Sequence, residues 1–161
     1  MPSRKLEDLY PPLKVVCEKA LEIAKQKGLL IGITCTHRTS VEQAALYSQG
    51  RESLDIVNEK RSKVGLYELT PQENSRCVTW VLVSYHTCSP LAMAFDFVIK
   101  KSPSECSWDI KADWNLNQIP DYQEFADICK SIDPENIEWG GDWDQPDAPH
   151  IQYKNGMKIK Q

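Results

Sequence analysis

The apolar run Met93–Ile99 constrains the fold most, because an aspartate lies at its centre. Apolar residues on both sides of Asp96 are typical of a short buried β-strand. An ionised carboxylate is costly to bury unless it is paired with a cation or bound to a metal. Strand alternation offers a second interpretation, in which Asp96 faces solvent together with Ala94 and Val98. If this strand is buried on both faces, the chain must supply a partner for Asp96.

Two of the three histidines could be that partner. His86 precedes Asp96 by ten residues, and His150 follows Pro149 near the C-terminus. Two histidines and one carboxylate are a common ligand set for catalytic zinc, with a fourth position left to water. Asp147, three residues before His150, is well placed to handle the protons of that water. Cys88 is an alternative ligand, but it would leave Asp96 unexplained. The pattern therefore suggests a zinc hydrolase.

Length, charge and cysteine content exclude several other classes. The 161 residues fit a single domain, 1–161, and carry a net charge of −4 with acidic and basic residues interspersed, so no nucleic-acid partner is expected. No apolar stretch has the length of a membrane span or of a signal peptide. We therefore expect that the protein is made in the cytoplasm and does not insert into a membrane. The six cysteines form no C-x-x-C pair, and Cys17 and Cys129 are expected to be buried free thiols. We expect a monomer.

Periodicity and capping signals predict an α+β fold in which helices pack on a small, mainly antiparallel sheet. A second helix should begin after Thr39 or Ser40, each of which can form a capping box, and end at Gly50. The remaining predicted segments are a helix over 7–27, a strand over Leu29–Cys35, a short helix over Leu54–Val64, strands over Val78–Val83 and Met93–Ile99, loops over 100–120, a helix over Asp121–Ile132 and one or two short strands after Ile137.

Several motifs, in order along the chain, resemble the D-Ala-D-Ala and L-Ala-D-Glu zinc peptidases, which include bacterial and phage cell-wall enzymes such as endolysins. These motifs are Ser84–His86, Ala94–Phe97, Glu138–Trp143 and Asp147–His150. Residues 36–51 are similar to the family's arginine-bearing segment, and residues 111–122 resemble the L-Ala-D-Glu branch. The resemblance extends from about Gly28 to Tyr153. It implies the fold of the D-Ala-D-Ala carboxypeptidase and hedgehog type.

The resemblance also implies a role for each motif residue. It assigns the Zn²⁺ ligands to His86, Asp96 and His150, and the general base to Asp147. Arg38 would bind a substrate carboxylate or the developing oxyanion. The alternative is a surface salt bridge near a helix start, where a cation is unfavourable for the helix dipole. Ser84 would hydrogen-bond the substrate or a ligand.

The spacing between the first two ligands departs from the family. The family's gap is shorter than the ten residues between His86 and Asp96, and Ser89–Leu91 is interpreted as an insertion. An alignment without this insertion would put Ser89 at the ligand position and abolish the site. The insertion is preferred because Ser84–His86 matches as a unit.

The implied activity is zinc-dependent hydrolysis of peptidoglycan stem peptides, with the L-Ala-D-Glu bond favoured by the branch resemblance. A D-Ala-D-Ala carboxypeptidase or dipeptidase is one alternative, and a catalytically silent zinc-binding recognition module is another. The missing signal peptide fits a phage or prophage endolysin that stays in the cytoplasm until a holin releases it to the cell wall. With no separate wall-binding domain, wall affinity would come from the catalytic groove.

A second metal site is suggested by the segment from Asp113 to Glu124. Its oxygen-bearing residues follow the spacing of a twelve-residue calcium loop, with Asp113, Asn115, Asn117, Asp121 and Glu124 at side-chain positions and Ile119 at the carbonyl position. The sixth position should be glycine and is Gln118. A polar turn before a capped helix is the alternative. The sequence therefore leaves Ca²⁺ open as a second cofactor.

Overall fold

The computed structural model describes residues 1–161 and has the predicted α+β architecture. The four α-helices are α1 (Pro11–Gln26), α2 (Ser40–Ser48), α3 (Leu54–Lys63) and α4 (Asp121–Ile132). The five strands are β1 (Leu30–Cys35), β2 (Ala94–Ser102), β3 (Glu105–Ser107), β4 (Ile137–Trp139) and β5 (His150–Tyr153). No helix combines the length and apolar character needed to cross a membrane.

The sheet is built around β2, and all of its strand pairs are antiparallel. Strand β1 runs along one edge of β2, while β5 and β3 pair with the first and second parts of its other edge. Strand β4 completes the sheet outside β5. In this register Asp96 lies opposite His150 on β5 and opposite Cys35 on β1. The pairing therefore brings two distant parts of the chain to Asp96.

The hydrophobic core lies between the sheet and the helices α1 and α4. Phe95 and Phe97 of β2 are fully buried in it. The ring of Phe97 lies 5.3 Å from the ring of Tyr122 and 4.7 Å from the ring of Phe125, both in α4. Close packing of these rings fixes the rotation of α4 against β2. Because side chains alternate along a strand, the same packing turns Asp96 to the opposite face of the sheet.

That opposite face is not open to solvent. Ala94 and Val98, which share it with Asp96, are 0% and 2% exposed. The alternative interpretation, in which Asp96 faces water with these two residues, is therefore wrong. Strand β2 is buried on both faces, and Asp96 needs a partner there.

Helix α2 begins where one of the two predicted caps places it. The Thr39 side chain accepts a hydrogen bond from the Glu42 backbone, and the Glu42 carboxylate accepts one from the Thr39 backbone. This capping box satisfies two backbone donors that the first turn would otherwise leave free. It also fixes the direction in which the chain enters the helix, and with it the position of Arg38 immediately before the cap.

Three segments differ from the sequence-based prediction. Residues 78–83 are not a strand, because their carbonyls accept side-chain hydrogen bonds instead of pairing with a strand: Gln43 donates to Val81 and Arg51 to Thr79. Helix α1 begins at Pro11 rather than at residue 7. Proline is favoured in the first turn of a helix, but in the interior its missing N–H group would cost a backbone hydrogen bond. The short strand β3 was predicted as loop.

All six cysteines are free, and Cys17 and Cys129 are buried as predicted. Burial raises the pKa of Cys17 to about 12 and that of Cys129 well above its ordinary value. Both thiols therefore stay protonated and act as small apolar groups in the core.

Candidate active site

The structure brings His86, Asp96 and His150 together from three separate elements. His86 lies in a short 3₁₀ turn (Tyr85–Thr87), Asp96 in the middle of β2, and His150 at the start of β5. Asp96 Oδ1 is 3.1 Å from His86 Nε2 and 3.0 Å from His150 Nδ1, and the two nitrogens are 3.3 Å apart. Three potential ligand atoms thus form one small triangle.

The outer nitrogen of each imidazole contacts a hydrogen-bond acceptor. His86 Nδ1 lies 2.7 Å from the Thr36 carbonyl, and His150 Nε2 lies 3.0 Å from the side-chain oxygen of Gln152. The Gln152 amide nitrogen in turn donates to the Glu138 carboxylate at 2.8 Å. Each outer nitrogen is therefore assigned as the N–H, which leaves a lone pair on the inner nitrogen beside Asp96.

These residues fit a zinc ion. Ligand atoms about 2.0–2.1 Å from a tetrahedral zinc lie roughly 3.3 Å from one another. The observed triangle, with sides of 3.0, 3.1 and 3.3 Å, has the dimensions of one face of such a tetrahedron. The metal-ligand roles of the three residues remain a prediction that this geometry supports.

Other candidate ligands fit less well. Cys35 Sγ also lies near His86 and Asp96, but it is 3.7 Å from His86 Nδ1, the nitrogen bonded to the Thr36 carbonyl. Burial raises the pKa of the Cys35 thiol to about 12, which disfavours the thiolate that a metal requires. In the structure Asp96, and neither Cys88 nor Ser89, completes the triangle with the two histidines.

Arg38 is paired with the second oxygen of Asp96. Its Nη2 donates to Asp96 Oδ2 at 2.9 Å, and its Nη1 donates to the Gln43 side-chain oxygen at 3.3 Å. The ion pair is largely buried, with side-chain exposures of 16% and 18%, so the surface salt-bridge interpretation of Arg38 does not hold. By holding Oδ2, Arg38 turns Oδ1 of Asp96 toward the histidines.

Ser84 caps the 3₁₀ turn that carries His86. Its hydroxyl oxygen accepts a hydrogen bond from the His86 backbone at 3.3 Å, and its own backbone donates to the Thr87 hydroxyl at 3.2 Å. Ser84 also lines the groove, so its hydroxyl remains available to donate to a substrate.

Asp147 stands at the rim of the same site because of a close backbone contact with Gly140. The Asp147 backbone donates to the Gly140 carbonyl at 2.8 Å, and the Asp147 carbonyl accepts from the His150 backbone at 3.1 Å. A Cβ atom at position 140 would lie 2.4 Å from the Asp147 carbonyl oxygen. Only glycine lets this turn close and carry Asp147 and His150 together.

The carboxylates and His150 titrate abnormally. Burial would raise the pKa of Asp96, but the charges and hydrogen bonds of His86 and His150 outweigh it and hold this pKa well below its ordinary value. Burial would lower the pKa of His150, but Asp96 outweighs it and raises the pKa. Partial desolvation in the groove, together with the negative charge of Asp96, raises the pKa of Asp147. A raised pKa makes Asp147 a stronger proton acceptor.

A groove of about 750 Å³ runs over the triangle. Its walls carry apolar side chains that are exposed at the rim, among them Trp80, Val83, Trp108 and Trp143. Trp139, in contrast, packs against the core. Thr36, Gln43 and Gln152 support the site and are not predicted by the sequence motifs. Gln152 could have been found, because residues two apart on a strand share a face and His150 was already a candidate.

The predicted calcium loop extends from the segment after β3 into the first turn of α4, apart from this groove. The carboxylate of Asp113 accepts hydrogen bonds from the backbones of Asn117 and Gln118, and that of Asp121 accepts one from the Trp114 backbone. Asn115 donates to Glu124. The loop residues thus face one another, and calcium binding there remains a prediction.

Comparisons with known proteins show which family the chain resembles. A family model described as D-alanyl-D-alanine carboxypeptidase matches residues 79–153. The peptidoglycan L-alanyl-D-glutamate endopeptidase CwlK of Bacillus subtilis (strain 168) is 30% identical over 146 residues, which cover 90% of this chain and 73% of CwlK. The crystal structure of the Serratia marcescens L-Ala D-Glu endopeptidase ChiX covers 96% of this chain and 89% of its own, at 19% identity and a TM-score of 0.57.

The fold and these similarities define a zinc-dependent metallopeptidase. More specifically, the chain belongs to the D-Ala-D-Ala/L-Ala-D-Glu zinc peptidase family. The family and fold inferred from the sequence motifs are thereby confirmed.

Proposed function

We propose that this peptidase hydrolyses peptidoglycan stem peptides at the L-Ala-D-Glu bond. The observation that carries the proposal is the similarity to CwlK, which covers 90% of this chain. The name of CwlK gives both this substrate and this bond. The match extends over 146 residues and covers 73% of CwlK.

The shape of the groove supports an endopeptidase. Trp80 and Val83 on one wall are 70% and 67% exposed, so this wall opens to solvent. An open wall is compatible with a substrate longer than a dipeptide. A dipeptidase would need a closed site that grips both substrate termini.

His86, Asp96 and His150 would hold the zinc ion. When bound, zinc would polarise the scissile carbonyl and make a water molecule more acidic. The protein's own part is to keep the three ligand atoms in place. The Thr36 carbonyl orients His86, and the Gln152 side chain orients His150.

Asp147 would act as the general base. Its carboxylate lines the groove beside His150, and burial raises its pKa. It can accept a proton from the attacking water and return it to the leaving amine of the cleaved bond. The backbone hydrogen bond to Gly140 fixes the position of the Asp147 backbone in the turn.

Arg38 would stabilise negative charge on the substrate. It also lines the groove, and its guanidinium has more donors than the contacts with Asp96 and Gln43 consume. A cation beside the reacting carbonyl stabilises the negative charge that develops on oxygen. The same donors could bind a carboxylate of the stem peptide.

A D-Ala-D-Ala carboxypeptidase is the second candidate. The family model that matches residues 79–153 carries that description. The two activities release different products from the same wall: a new N-terminal D-Glu for the endopeptidase and free D-Ala for the carboxypeptidase.

The test is mass spectrometry of fragments released from purified peptidoglycan. We expect wild-type zinc-loaded protein to expose N-terminal D-Glu. Substitution Asp147→Asn should lower the rate by about 10²–10⁴-fold, because the amide cannot accept the proton. Zinc content should remain the same in this variant. Removal of zinc with a chelator should abolish release, and added zinc should restore it.

Asp142→Asn is the matched control. Asp142 lies on the same turn but pairs with Lys130 at the surface, so its loss should leave the rate unchanged. Release of D-Ala instead of D-Glu would favour the carboxypeptidase. Folded, zinc-loaded protein that releases nothing from several wall types would favour a silent zinc-binding module.

We further propose that the protein is a monomeric phage or prophage endolysin. It would remain in the cytoplasm until a holin releases it to the cell wall. Expression with and without a holin in a susceptible host tests the release step, and lysis only with the holin is expected. Size-exclusion chromatography with light scattering tests the monomer.

A further inference from the structure

We propose that the loop from Asp113 to Glu124 binds one calcium ion. The site is separate from the catalytic groove, and its existence does not depend on which bond the peptidase cleaves. Its ligands would be the side-chain oxygens of the predicted loop residues with the Ile119 carbonyl. The side-chain ligands are Asp113, Asn115, Asn117, Asp121 and Glu124.

Buried oxygens without partners are the main observation. Asp121 and Glu124 are only 1% and 4% exposed, yet Asp121 Oδ1 and Glu124 Oε1 have no hydrogen-bond partner. Asn115 Oδ1 is a third such atom. Buried carboxylate oxygens are normally paired, because leaving them bare costs much of their hydration free energy. Three orphaned oxygens within ten residues indicate a missing cation.

The orphaned oxygens belong to side chains that face the loop. The other oxygen of Asp121 accepts a hydrogen bond from the Trp114 backbone at 3.0 Å. The other oxygen of Glu124 accepts one from the Asn115 amide, also at 3.0 Å. The nearest cation, Lys27 Nζ, is 3.8 Å from Glu124 Oε1 and half exposed, so it compensates only one of the two carboxylates.

The backbone has the conformation that the twelve-residue spacing requires. Gln118 stands at the sixth position, where glycine is usual, and adopts the left-handed φ of 71° that glycine provides. Its backbone donates to the Asp113 carboxylate at 2.7 Å, and Asn117 donates to the same carboxylate at 3.1 Å. Gln118 therefore adopts the turn conformation for which glycine is usual at the sixth position.

The ligand chemistry selects calcium over zinc. All candidate donors are oxygens, three of them carboxylates, and no nitrogen or sulfur ligand is present. Such a set with about six to eight oxygens suits Ca²⁺, whereas zinc prefers fewer, softer ligands.

Calcium here would brace the first turn of α4. Tyr122, next to Asp121, donates to the Ser107 carbonyl at 2.9 Å, and Ser107 precedes Trp108 in the groove wall. The same Tyr122 packs against Phe97, the neighbour of Asp96. A cation that fixes Asp121 thus stiffens the helix on which β2 rests.

The first experiment measures calcium binding to zinc-loaded protein by calorimetry and by terbium luminescence. Trp114 lies inside the loop and should sensitise bound Tb³⁺. We expect one site per chain, displacement of Tb³⁺ by calcium, and a rise in Tm of about 5 °C or more at a calcium concentration one hundred times Kd.

Two variants and one control locate the site. Asp121→Asn and Glu124→Gln should each weaken calcium binding at least about tenfold, since each removes a charged ligand. Asp127→Asn removes an equal charge from an exposed position of the same helix and should change nothing. Zinc content and far-UV circular dichroism verify folding.

Asp121→Asn keeps the test decisive if Glu124→Gln fails to fold. The amide oxygen can still accept from Trp114, and the variant removes a buried charge, so the calcium-free Tm should equal or exceed that of the wild type. The proposal is overturned if calcium up to about 10 mM, well above the weakest protein sites, neither raises Tm nor displaces Tb³⁺. Unchanged calcium affinity in Asp121→Asn would also overturn it.

Discussion

At the scale of single residues, the site depends on the groups that orient the predicted ligands as much as on those ligands. Asp96 shares its two oxygens between Arg38 on one side and the two histidines on the other. This arrangement explains how a carboxylate is tolerated within an apolar strand. It also means that substitutions of supporting residues should reveal themselves in zinc affinity before they affect the fold.

Gln152→Ala should weaken zinc binding by about 10–100-fold, the usual cost of losing a hydrogen bond that orients a metal-ligating histidine. The substitution frees His150 Nε2 and leaves the Glu138 carboxylate without its amide donor. Competition with a chelating dye measures zinc affinity directly. Gln72→Ala, at an exposed position, is the control. Equal affinities in the two variants would show that Gln152 does not orient His150.

At the scale of elements, the turn between β4 and β5 decides where the proposed base, Asp147, and the last predicted ligand, His150, lie. Trp139 supports this turn by donating from its indole to the Ala148 carbonyl at 2.8 Å. Gly140 lets the backbone of Asp147 approach it. The turn between β4 and β5 forms one wall of the groove, and the segment 78–83 forms the facing wall. Neither of these two segments is a strand of the sheet.

Gly140→Ala should lower activity more than about tenfold and destabilise the protein by about 1–3 kcal/mol, because the added Cβ overlaps the Asp147 carbonyl and displaces the turn. Gly32→Ala on β1 is the control, since its Cβ meets chiefly the flexible end of Lys100. Peptidoglycan turnover, corrected for the folded fraction, measures the effect. Full turnover in Gly140→Ala would mean that the turn tolerates displacement.

At the scale of the whole molecule, we expect the proposed zinc site to couple stability to pH. In metal-free protein the raised pKa of His150 and the lowered pKa of Asp96 describe a charged pair that stabilises the fold. The His150 contribution is full below its unfolded value of about 6.5 and is lost as pH rises through the raised folded pKa. The Asp96 contribution is lost only in acid, as pH falls through its lowered folded pKa.

The difference in Tm between zinc-loaded and metal-free protein should therefore widen between about pH 6 and pH 8. Protons compete with zinc for His150 at the lower pH, while the metal-free protein loses its charged pair at the higher pH. Differential scanning calorimetry with and without zinc measures this difference. A constant difference across the range would contradict the coupling.

The sequence by itself determined the family, the order of the main helices and the residues that meet at the site. Local signals were sufficient for α4, which was predicted with its observed bounds, and for the Thr39 cap of α2. The ligand candidates followed from chemistry, because a carboxylate inside an apolar strand demands a cation. These inferences need only neighbouring residues and the properties of their side chains.

Only the tertiary structure decided which alternatives held. The choice of Asp96 over Cys88 and Ser89 rests on the antiparallel register that sets Asp96 opposite His150. The pairing of Arg38 with Asp96, the support from Gln152 and the irregular wall at 78–83 also depend on contacts between distant segments. A periodic pattern records which face of an element is apolar, whereas partners across the sheet are set by packing of the whole chain.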